Sequence, residues 1–186
     1  MRASVVAILV MLCLTSPEAQ TPPGSGAIDI TPADVQAMID SGSAGPMRSI
    51  NAGEHVVFAW YTTRRPAGAG AETRGELHTQ MTEIYYILEG SGTLNTGGTM
   101  TLPRKREGTS SLPGTENVPT FSTPTYTGPA EGGVSRTVSA GDVIVIPPGT
   151  VHFFESIDTP SLAYLNVRID PEHQLHAPYV NPVLAK

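Results

Sequence analysis

The chain has 186 residues, 15% of them charged, and a formal net charge of −6. That length holds one domain with short extensions. The acidic balance argues against a nucleic-acid partner, because neutralising phosphates takes clustered Lys and Arg, and the densest basic run, Arg104-Lys105-Arg106, lies among Pro, Gly and Ser.

In chain order, residues 1–19 read as an export signal. Arg2 supplies a positive start, and Val5 to Leu14 form an apolar run too short to span a bilayer. A cut after Ala19 is expected, which places the protein in the periplasm or outside the cell with no stable membrane association after processing. Cys13, the one cysteine, leaves with this segment. The mature chain is therefore expected to manage an oxidising compartment without disulfides, and thiolate metal sites are excluded.

Residues 20–45 read as a lead-in followed by one short helix. Thr31 can cap, Pro32 suits the first helical position, Val35, Met38 and Ile39 share a face, and Gly42 ends the run. From there to residue 170 the pattern is strand-like. Candidate strands cover 56–63, 76–78, 83–88, 93–96, 134–138, 143–146, 151–154 and 162–169. The turns between them are explicit: Glu89-Gly90-Ser91-Gly92, Gly97-Gly98, Ala140-Gly141-Asp142 and Pro147-Pro148-Gly149. Nineteen Gly and seventeen Pro fit many short strands, so an all-β sandwich or barrel is predicted. Residues 103–133, rich in Pro, Gly, Ser and Thr, read as a long loop near the barrel mouth. The tail, 171–186, is expected to wrap the surface.

Four residues carry the chemistry. Glu76 and His78 are two apart, so a strand points both to one face. Glu83 follows a short connection, Thr79-Gln80-Met81-Thr82, able to turn the chain onto a neighbouring strand. His152 sits early on a strand after the Pro-Pro-Gly turn. If all four face inward, two imidazoles and two carboxylates converge, a donor set suited to Mn(II), Fe(II), Zn(II) or Ni(II) rather than Cu(I). Tyr85 and Phe154 share the parity of Glu83 and His152, which makes them pocket-lining or core residues. Trp60 reads as core, and His55, His173 and His176 as solvated. Arg136 and Arg168 are expected at the surface or within reach of an acidic substrate.

These spacings resemble those of the cupin superfamily. Gly70-x5-Glu76-x-His78-x4-Glu83-x6-Gly90 is similar to its first motif, with Glu76 in place of the first histidine. Gly141-x5-Pro147-x-Gly149-x2-His152-x3-Ser156 is similar to its second, with Ser156 in place of an asparagine. The resemblance implies a double-stranded β-helix, or jelly-roll, barrel holding a metal. His78, Glu83 and His152 fall at ligand positions and leave open positions for substrate or dioxygen. Glu76 is then either a fourth ligand or a general base. Oxygenation, decarboxylation, isomerisation and lyase reactions on a small molecule are all compatible with the fold. A non-catalytic module for a metal or small ligand, and a barrel with a purely structural metal, are the alternatives. Pairing of two copies through outward residues such as Tyr86 and Leu88 is also expected.

Overall fold

A computed structural model describes residues 27, 29–42, 44–68, 74–106, 124–175 and 177–184. The expected export segment, Gly70, His176 and most of the 103–133 loop lie outside them. The order is helix α1 (Pro32–Asp40), β1 (Gly45–Asn51), β2 (Val56–Arg64), β3 (Arg74–His78), β4 (Thr82–Glu89), β5 (Ser91–Thr96), β6 (Thr99–Met100) and β7 (Arg104–Lys105). It continues with β8 (Thr125–Glu131), β9 (Val134–Ser139), β10 (Val143–Ile146), β11 (His152–Ile157), β12 (Leu162–Asp170), β13 (Tyr179–Val180) and a 3-10 turn, Pro182–Leu184.

The strands form two antiparallel sheets. One runs β10-β4-β12-β2-β1-β13; the other runs β6-β8-β3-β11-β5-β9, with β7 also paired to β8. Their inner faces enclose one core of Tyr85, Ile87, Leu94, Val138, Ile144, Ile146, Leu162 and Tyr164 and a second of Val56, Phe58, Met81, Leu175 and Tyr179. Each fully buried aliphatic side chain here contributes about 1.5–3 kcal/mol by leaving water. The arrangement is the expected all-β jelly roll.

Helix α1 forms as read. Thr31 accepts from the Asp34 amide at 3.2 Å, and Asp34 accepts from the Thr31 amide at 2.9 Å, a reciprocal capping box. An Arg48–Asp34 ion pair at 3.1 Å ties the helix to β1. Met38 is buried against Met47, Tyr61 and Ala163, on the outer face of the first sheet. Ile39, expected on the packed face, is 43% exposed, because it lies about 100° round the helix from Met38, the residue that faces the sheet.

Other expectations separate as well. Leu88 is partly buried against the cluster under α1, whereas Tyr86 is exposed beside Val143 on the outer face. The 103–133 stretch is not all loop: β7 and β8 fall within it, and β8 pairs with β3 along its whole length, from Arg74↔Pro129 to His78↔Thr125. Pro129 lacks an amide donor and Gly128 lacks a side chain, so neither signals a strand. Gly128 sits there because a Cβ would come within 2.6 Å of the Thr101 carbonyl. β1 was missed for a similar reason, since it begins Gly45-Pro46. The tail is partly built in, with β13 completing the first sheet and Leu175 buried.

Two turns aim the site. Gly90 has φ +79°, and a Cβ there would meet the Ser161 carbonyl oxygen at 2.2 Å, so only glycine lets the chain pass from β4 to β5 this close to the start of β12. Gly149, with φ +76°, donates its amide to the His78 carbonyl at 2.7 Å. That bond fixes the turn before His152 against the end of the strand that carries His78.

Candidate metal centre

β3 places Glu76 and His78 two residues apart on the inner face, and β11 lays His152 directly opposite Glu76. β4 belongs to the facing sheet and brings Glu83 across the barrel. The connection after His78, expected to turn onto a neighbouring strand, therefore crosses instead to the facing sheet. His78, Glu83 and His152 are all buried, at 2%, 1% and 4% exposure.

Both imidazoles present Nε2 to the same carboxylate oxygen. Glu83 Oε2 lies 3.0 Å from His152 Nε2 and 3.4 Å from His78 Nε2. Neither Nε2 has a hydrogen-bond partner, although both are buried away from water. Their other nitrogens are engaged. His152 Nδ1 donates to the Thr150 carbonyl at 3.0 Å, and His78 Nδ1 lies 2.8 Å from the Thr125 hydroxyl. A carbonyl can only accept, so Nδ1 of His152 carries a proton and its Nε2 offers a lone pair in the neutral ring. Two buried Nε2 atoms without a hydrogen bond, both facing one carboxylate oxygen, form a site that a divalent cation fits, and the Nδ1 contacts are the outer bonds that orient such ligands.

Glu83 is itself held firmly. Its Oε1 accepts from Asn166 Nδ2 at 2.6 Å and from Arg168 Nε at 3.1 Å, and Tyr85 donates to Oε2 at 3.4 Å. Burial works to raise its pKa, but His78, His152 and Arg168 outweigh that and hold the carboxyl well below its ordinary range. Burial lowers the His78 pKa to about 4 despite Glu83. His152 is also buried, yet the closer Glu83 raises it above the ordinary value. Tyr85 remains a phenol, because burial and then Glu83 raise it well above the usual range.

Glu76 is different. Donor atoms of Glu76, His78 and His152 come within 4.8 Å of one another, so it is within reach of a shared ion. Its carboxylate, however, pairs with Arg106 and more loosely with Arg64, at 4.0 Å. Burial opposes ionisation, but His78, Arg64 and Arg106 keep its pKa lowered. It also lies at the edge of a cleft of about 390 Å³, which reaches His152 and is walled by Tyr85, Phe154 and Tyr164. Tyr85 and Phe154 thus both line the cleft and pack in or against the first core.

Sequence reasoning missed Asn166 and placed Arg168 at the surface or within reach of an acidic substrate. Arg168 is 6% exposed, not a surface residue, and its guanidinium stacks 4.8 Å over Trp60. The signal was the alternation on β12, where Tyr164, Asn166, Arg168 and Asp170 share the buried face. The alternatives among the other histidines and arginines resolve outward: His55, His173 and Arg136 are exposed, and Arg136 donates to the Thr96 hydroxyl at 3.1 Å. Ser156, at the altered end of the second motif, also turns outward, donating to Asp158 at 2.8 Å after a register shift between Phe154 and Ser156.

The chain is similar to several known proteins. Among solved structures, a Bacillus halodurans protein is similar at 13% identity, with 88% of this chain and 96% of that one covered and a TM-score of 0.44. An oxalate oxidase is similar at 22% identity over 61% of this chain and 41% of its own, with a TM-score of 0.36. A predicted oxalate decarboxylase from Thermotoga maritima is similar at 19% identity over 70% and 96%, with a TM-score of 0.36. None of the curated proteins matches the chain. The family model described as Cupin matches residues 73–184, more than half of the sequence and both motif strands. On that match and this topology, the chain belongs to the cupin family.

Proposed function

We propose that this protein binds a divalent metal ion through His78, Glu83 and His152 and acts on a small molecule admitted by the adjoining cleft. The observation that carries the reading is the pair of buried, unpartnered Nε2 atoms turned toward one oxygen of Glu83. When bound, such an ion supplies Lewis-acid or dioxygen chemistry to substrate oxygens. The chain's own residues orient and enclose. Thr125 and Thr150 fix the two rings, and Asn166 and Arg168 hold Glu83 ionised and pointing inward. Tyr85 keeps a protonated hydroxyl beside it, and Phe154 and Tyr164 shield the cleft side from water.

Glu76 stands beside this triad rather than in it, because Arg106 already satisfies its carboxylate. That leaves the cleft side of the ion open, as catalysis requires and a closed structural site does not. Export, argued from residues 1–19, belongs to the same proposal and is checked by the mass of the processed chain. The metal reading is tested by elemental analysis of the purified protein against the H78A/H152A double variant. Near-stoichiometric metal in the parent and its loss in the variant are expected. Equal metal in both would sink the assigned site.

A further inference from the structure

We propose that the cleft beside the metal centre is built for an organic acid: a small molecule with one carboxylate and an apolar or aromatic body. This deepens the reading above by naming the substrate class for the same site. Arg64, Arg65, Arg74 and Arg106 line the cleft against two carboxylates, Glu76 and Glu155. Four of the eleven Lys and Arg in a chain of net charge −6 are thus gathered at one cleft. Such a concentration in a concave, partly apolar site draws anions in and holds them. Arginine also supplies the planar fork that matches a carboxylate. The remaining walls, Leu94, Phe153, Phe154, Ile157 and Tyr164, suit an apolar body, and about 390 Å³ suits a molecule of one or two rings.

Glu76 shows where the anion would sit. Its carboxylate is paired with Arg106 and lies 4.0 Å from the Arg64 guanidinium, with its side chain still 21% exposed to the cleft. It behaves as a built-in competitor for those arginines. An incoming carboxylate takes Arg106 and Arg64 in its place, and Glu76 gives up those partners while staying beside the triad. Substrate entry and the state of Glu76 are then one exchange of ion-pair partners, with no covalent change.

The test is calorimetric titration of the metal-stripped protein with benzoate, neutral benzamide and inorganic phosphate. Benzoate is expected to bind at least about tenfold more tightly than benzamide, the usual worth of hydrogen bonds to a charged group. E76Q is expected to tighten benzoate severalfold by removing the competitor, and R64Q to weaken it, with neither changing benzamide. Equal binding of benzoate and benzamide by the parent protein would overturn the proposal whatever the variants do. Phosphate binding as tightly as benzoate would overturn the organic-acid half, because the apolar walls would then contribute nothing. Because no metal is present, failure here leaves the metal reading standing. Conversely, benzoate binding by a protein that takes up no metal would strike only that reading.

Discussion

Glu83 and Glu76 are both inward carboxylates paired with arginine, one on each sheet of the barrel, and they are held in opposite ways. Glu83 is 1% exposed, and its Oε1 is fixed by Asn166 and Arg168, so its Oε2 has one place to go, between the two imidazoles. Glu76 keeps one side to the cleft, and its partners, Arg106 and Arg64, are themselves 42% and 48% exposed. The buried pair is a fixed part of the scaffold, since breaking it would leave an uncompensated charge in the interior. The outer pair can be exchanged, since a half-exposed ion pair is screened and contributes little. Position in the barrel thus divides the work between two residues of identical chemistry.

Removing Glu83 should give the largest effect. E83A strands Arg168 in the interior and is expected to cost about 3–5 kcal/mol in denaturant unfolding, with metal uptake lost. If its stability matches the parent's, the contrast between the two carboxylates fails. Next in size, T125V removes the hydroxyl beside His78 Nδ1 and is expected to weaken metal binding on the order of tenfold, as read by competition with a chelator. The same variant should leave benzoate binding unchanged, which separates the inner region from the cleft.

The two imidazoles give a pH test of smaller scale. In NMR titrations of the metal-stripped protein, His78 is expected to take its proton only near about 4, and His152 above the ordinary value near 6.5. The unfolded chain protonates the His78 position first, so that residue's contribution to stability is lost as pH falls from 6.5 toward 4. His152 is the reverse: its contribution is complete below 6.5 and fades as pH rises through its raised folded value. Coincident titrations would show that Glu83 does not favour one ring. The smallest effect belongs to E76Q, which is expected to change unfolding free energy by less than about 1 kcal/mol and to keep the metal.

How legible the site was in the sequence follows from the same division. The inner triad could be read because strand parity and glycine turns fix it locally: His78 at the end of one strand, Glu83 at the start of the next, His152 just after Pro147-Pro148-Gly149. The grip on Glu83 could not be read from a strand whose apolar residues drew the eye, since Asn166 and Arg168 look like ordinary polar positions until their shared face is seen. The mouth was illegible for another reason. Its arginines come from positions 64, 65, 74 and 106, and it is the pairing of β7 with β8, and of β8 with β3, that brings the last of them to the side of Arg74. Arg106, read as part of the long 103–133 loop near the barrel mouth, lines the cleft because β7 and β8 lie in that stretch, and β8 was hidden by Gly128 and Pro129.

Trp60 gives the molecule an optical consequence. It is the one tryptophan in the chain, and the Arg168 guanidinium lies 4.8 Å over its ring while the same arginine holds Glu83 at 3.1 Å. The indole is therefore two contacts away from the oxygen that faces both imidazoles. Any ion that draws on Glu83 changes the charge felt by Arg168, and with it the colour and yield of the tryptophan's fluorescence. The barrel carries its own reporter, one arginine removed from the inner carboxylate.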